Sequence, residues 1–159
     1  MDGIFKRIGG WFAGVLTAVV LGVIFQTQNV LARLDDIGAD VGFAERLSMT
    51  LYDLQHLGSL YIIFVSIALA IAFLVGGLVY RFAKFGRPIV YCVAGAVAIL
   101  VMLFAMKANF FDIHIIAGAR DAFGISLQML AGAIGGFVFA RISRPNKKAS
   151  AHNAEASIV

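Results

Sequence analysis

The residues closest to reactive chemistry in this chain are two aspartate–histidine pairs. Asp53 and His56 stand three apart, and Asp112 and His114 stand two apart. On a helix a three-residue step keeps two side chains on one face, and in an extended segment a two-residue step does the same. Imidazole and carboxylate together can ligate a divalent transition metal or serve as an acid/base set. Arg120 and Asp121 follow the second pair in sequence and complete a candidate polar cluster. The spacing matches no metal-site motif, so no metal is assigned, with His56 and His114 the nearest candidates for ligands. The plainer expectation is a set of ordinary interfacial polar residues, with Asp121 stabilised near a helix N-terminus by the helix dipole.

Other signatures of catalysis or cofactor binding fail. There is no Walker-type or dinucleotide-binding glycine loop, no His-Glu-x-x-His and no Gly-x-Ser-x-Gly. Cys92 is the single cysteine and sits in an apolar run, which excludes an intrachain disulfide. No cofactor is expected.

The elements that would position these residues are membrane spans. The 159 residues are 61% hydrophobic and 14% charged, with mean hydropathy +0.92. A soluble domain carries about 25% charged residues, so this apolar excess calls for lipid around it. Crossing about 30 Å of hydrocarbon takes roughly 20 helical residues. Four runs without Asp, Glu, Lys or Arg meet that need: about 8–25, 60–80, 89–106 and 122–140. The fold expected is an all-α integral membrane protein, a four-helix transmembrane bundle, followed by a disordered tail over 143–159. The first run, preceded by Lys6-Arg7 and followed by Val30-Leu31-Ala32, resembles a cleavable signal. Its length exceeds the ~7–15 residues usual for a signal's apolar region, which favours a retained helix.

Basic residues orient the bundle. Lys6, Arg7, Arg81, Lys84, Arg87, Arg141, Arg144, Lys147 and Lys148 fall on one side, against Arg33, Arg46, Lys107 and Arg120 on the other. Both termini are therefore expected in the cytoplasm, and compactness with the lack of sorting signals points to a bacterial inner membrane. The basic residues sit beside helix ends, where they meet anionic lipid, and nucleic-acid binding is not implied. In the first outer loop, Phe43, Leu47, Leu51 and Leu54 recur at helical spacing among Glu45, Arg46 and Asp53. That pattern predicts an amphipathic interfacial helix, preceded by a break at Gly38 and Gly42.

Helices in lipid gain nothing by hiding apolar surface from one another and need close backbone approach or interhelical hydrogen bonds. Small residues recur every fourth position: Gly10, Gly14, Ala18 and Gly22 in the first helix, Ala68, Ala72 and Gly76 in the second, Ala94 and Ala98 in the third. The fourth has Gly124, Gln128, Gly132, Gly136 and Ala140. Gln128, about two turns deep, is expected to bond another helix or a second subunit. The partners expected are the lipid bilayer and a second copy or another membrane protein. The leading functional expectation is a non-catalytic oligomeric or accessory subunit packed through small-residue faces. Behind it stand a small transporter or channel for a neutral or lipid-like substrate, and an outer-leaflet enzyme using the Asp and His residues.

Overall fold

The computed structural model describes residues 2–38, 41–83, 86–109 and 121–144. They form four helices, α1 (Asp2–Asp36), α2 (Phe43–Ala83), α3 (Arg87–Asn109) and α4 (Ala122–Ile142), each long and apolar enough to cross a membrane. The protein is an all-α integral membrane bundle. The helices run up, down, up and down around a square. α1 and α3 each pack against both α2 and α4, and α2 and α4 barely touch across the diagonal.

α3 and α4, at 23 and 21 residues, match the hydrocarbon thickness at about 1.5 Å per residue. α1 and α2, at 35 and 41 residues, greatly exceed it. The polar run Gln26–Asn29, which reads in sequence as the end of the first span, stays helical and faces neighbouring helices: Gln26, Thr27 and Asn29 are buried. The amphipathic helix expected in the first outer loop is present, but it is not a separate element. It continues unbroken into the second span as the N-terminal part of α2. α1 ends in a turn at Ile37 and Gly38. Gly38 takes φ +90°, a left-handed conformation open to glycine, and its N–H donates to Asp35 O. Gly42 then caps α2: its carbonyl accepts from Arg46 N, and its N–H donates to Glu45 Oε2 at 3.3 Å.

The bundle closes through backbone contact along α4. A Cβ on Gly14 would stand 2.8 Å from Gly135 O, and one on Gly135 would stand 2.6 Å from Gly14 O. On the other flank a Cβ on Gly132 would lie 2.5 Å from Gly95 O, and one on Gly136 would collide with the Tyr91 carbonyl. Glycine at these places lets three backbones touch. The row of small residues on α1 lies along α4, with Gly10 against Ser143, Ala18 against Gly135 and Gly22 against Gln128. The α4 row divides: Gln128 turns toward α1 and α2, and Gly132 and Gly136 meet α3. Each four-residue step advances about 40°, enough to carry the row from one neighbour to the next. Gly95, outside the spacing read from α3, is where that helix's backbone meets Gly132, and Ala94 instead faces Gly76 of α2. These small-residue faces are occupied within one chain.

Replacing Gly132 with Ala places a methyl group against Gly95 O and Ile99 and should lower unfolding stability in detergent by about 1–3 kcal/mol. Gly9→Ala, where a Cβ meets nothing within 4 Å, should leave the midpoint unchanged or raise it. Equal effects from the two substitutions would contradict the packing described.

Candidate functional site

Three polar features interrupt the apolar bundle. The first occupies the end where α1 and α2 meet. Thr27 Oγ1 donates to Asp53 Oδ2 at 2.8 Å, Gln28 Nε2 donates to Thr50 Oγ1 at 3.3 Å, and Arg46 Nη2 pairs with Asp35 Oδ2 at 3.2 Å. Asp53 is thus engaged in the seam between the two helices. His56 is exposed, with Nδ1 3.1 Å from Tyr52 O and its ring stacked on Tyr52 at 4.1 Å. The two residues share a helix but face different neighbours. Asp112, His114 and Arg120 lie outside the described residues. Among the described residues no three His, Cys, Asp or Glu side chains gather as metal ligands.

Asp121 caps α4, its backbone extended and its carboxylate accepting from Gly124 N at 3.0 Å. Arg33 Nη2 approaches Asp121 Oδ1 to 2.6 Å, tying the start of α4 to α1. Desolvation pushes the Asp121 pKa upward, but the Gly124 N–H, the Arg33 charge and the Asn29 side chain outweigh it and hold the carboxyl below its ordinary value.

The second feature is Gln128, 1% exposed. Its Nε2 donates to Gly22 O at 2.9 Å, and its Oε1 accepts from Tyr61 Oη–H at 2.8 Å. One amide therefore links α1, α2 and α4. A Cβ on Gly22 would lie 2.9 Å from Gln128 Oε1 and equally close to the Tyr61 ring, so only glycine leaves room for this arrangement. Both ends of the amide are bonded within the protein, and its role here is structural.

The third feature is a cleft of about 660 Å³ at the opposite end, between α1 and α2 and floored by Tyr91 and Phe139. Phe73 stacks on Phe139 at 4.2 Å, and Tyr91 meets both rings edge-on. Arg7, Arg81 and Arg87 line the cleft together with Trp11. Arg87 Nη2 donates to Ser143 O at 2.8 Å and to Ser143 Oγ at 2.9 Å, and its guanidinium stands 5.6 Å from the Tyr91 ring centre. Ser143, which composition groups with the tail, is buried at the end of α4. Trp11 Nε1 and Arg87 Nε are buried without a hydrogen-bond acceptor among the described residues. In sequence the three arginines read only as topology anchors. Their convergence with Trp11 depends on helix packing, and the one available hint is the four-residue step from Arg7 to Trp11.

Comparisons with models of protein families, with curated proteins and with solved structures find no match.

Two measurements check the first two features. Gln128→Leu leaves the buried Tyr61 hydroxyl without its acceptor, and a double-mutant cycle with Tyr61→Phe should give a coupling of about 0.6–1.7 kcal/mol. A coupling near zero would remove Gln128 as a link between helices. For Asp121, a depressed folded pKa means that its contacts contribute fully above the ordinary carboxylate value, about 3.9, and are lost as pH falls through the folded pKa. The thermal midpoint of the wild type should therefore fall more steeply below roughly pH 4 than that of Asp121→Asn. Parallel curves would assign the acid sensitivity elsewhere.

Proposed function

We propose that the chain is a non-catalytic membrane subunit that holds a protein partner against the projecting α1–α2 hairpin. The supporting observation is the mismatch of surfaces on that projection. Its seam is polar, made by Thr27–Asp53, Gln28–Thr50 and Asp35–Arg46. Its flanks are apolar: Phe43 is 82% exposed, and Leu47, Leu51 and Tyr52 are exposed with it. Among the described residues nothing covers them. A run of α2 of about 17 residues, or some 25 Å, extends past the level of α3's last turn. Apolar flanks standing beyond the bilayer call for an apolar partner, and contiguous exposed apolar surface of this kind marks interaction sites.

The orientation proposed puts both termini in the cytoplasm and the hairpin outside, on the distribution of Lys and Arg. The membrane proposed is a bacterial inner membrane. A carrier for a lipid-like amphiphile is the second reading, and the cleft lined by Arg7, Arg81 and Arg87 favours it. The enzymatic alternative draws no support from Asp53 and His56, which face different neighbours.

A photo-crosslinking residue at Leu47 in intact cells tests the proposal. A discrete protein adduct is expected, at twice 17.0 kDa for a second copy or at another mass for a different subunit. Phe43→Glu with Leu51→Glu should abolish it while the four-helix fold persists. Adducts to lipid alone would overturn the proposal.

A further inference from the structure

The cleft between α1 and α2 combines features that no packing requirement explains. Three arginines, Arg7, Arg81 and Arg87, border one space at the end of the bundle where α1 begins and α4 ends. The ion pairs formed among the described residues, Arg33–Asp121 and Arg46–Asp35, both sit at the other end. Two N–H groups of residues that line the cleft, Trp11 Nε1 and Arg87 Nε, are shut from solvent and have no acceptor among the described residues. A buried donor without an acceptor forfeits a hydrogen bond, and like charges that line one cleft repel one another. Both costs disappear if an oxyanion enters.

Toward the middle of the bundle the lining turns apolar, with Ile8, Phe73, Leu74 and Leu78. Ile8, Leu74 and Leu78 are exposed, Leu74 by 77%, so the cleft opens sideways onto the surface that lipid covers. Charge at the bundle end and hydrocarbon toward its middle is the polarity of a phospholipid lying in its own leaflet. Basic pockets between transmembrane helices bind lipid headgroups in this way.

We infer that this cleft is a binding site for an anionic phospholipid. The phosphate lies among Arg7, Arg81 and Arg87 and, as the indole turns toward it, accepts from Trp11 Nε1, and an acyl chain runs along Leu74 and Leu78. Arg87 is already oriented by Ser143 and Tyr91, so little further ordering accompanies binding. The inference is independent of the hairpin and its partner.

Native mass spectrometry of the full chain from mild detergent, with added phosphatidylglycerol or phosphatidylcholine, tests it. Phosphatidylglycerol should be retained as a single adduct and phosphatidylcholine should not. Arg81→Gln should reduce retention about fivefold, the effect of one basic residue at an anionic headgroup. Trp11→Phe, which keeps an aromatic ring and removes the N–H, should also reduce it. Arg141→Gln serves as the control: Arg141 belongs to the same end of the bundle but stacks on Phe137, away from the cleft. The inference is overturned if Arg141→Gln matches Arg81→Gln, which would mean a diffuse basic rim. It is also overturned if Trp11→Phe and Arg81→Gln both retain lipid at the wild-type level. Stabilisation by inorganic phosphate equal to that by phosphatidylglycerol would assign the site to a soluble anion instead.

Discussion

Hydrocarbon offers these helices no gain from hiding their leucines, so their association depends on backbones that come within van der Waals reach. α4 carries that constraint. It meets α1 at Gly135 and α3 at Gly132 and Gly136, and it reaches α2 through the Gln128 amide. Each end is fastened by a guanidinium: Arg33 holds the Asp121 cap, and Arg87 holds Ser143. The rest of the bundle is arranged around this one helix. The aromatic cluster of Phe73, Tyr91 and Phe139 fills the space left where glycines have drawn the backbones together.

The same economy leaves α2 under-covered. Only its inner positions, such as Tyr61, Val65, Leu69 and Phe73, are buried, and large apolar side chains from Leu60 to Phe82 face outward. Within the bilayer that exposure is solvated by lipid tails and has no cost. The N-terminal part of the same helix exposes Phe43, Leu47 and Leu51 as well. One continuous helix therefore keeps an apolar flank along its whole length.

Much of the fold is legible in the sequence because membrane spans obey a length rule. Four uncharged runs predict four helices, and the residues at their centres agree with α1 to α4. Boundaries are less legible. Gln26, Thr27, Gln28 and Asn29 resemble a helix end because polar residues usually mark the water interface, yet here all four lie within α1, and Thr27 and Gln28 bond to α2. Gly95 escapes the four-residue spacing because closest approach depends on the crossing point of two helices, which periodicity alone does not supply. Gln128 is legible as a residue in need of a partner, whereas Gly22 O and Tyr61 are identifiable only once three helices are assembled. The cleft is the least legible feature, since its lining comes from all four helices.

α4 also has the lowest mean hydropathy of the four spans. Its glycines put less side chain against lipid than the leucines and isoleucines of α2 and α3 do. Its residence there leans on the groove that α1 and α3 offer and on acceptors already waiting at Gly22. Since α4 follows the other three spans in chain order, both helices that flank it are synthesised before it.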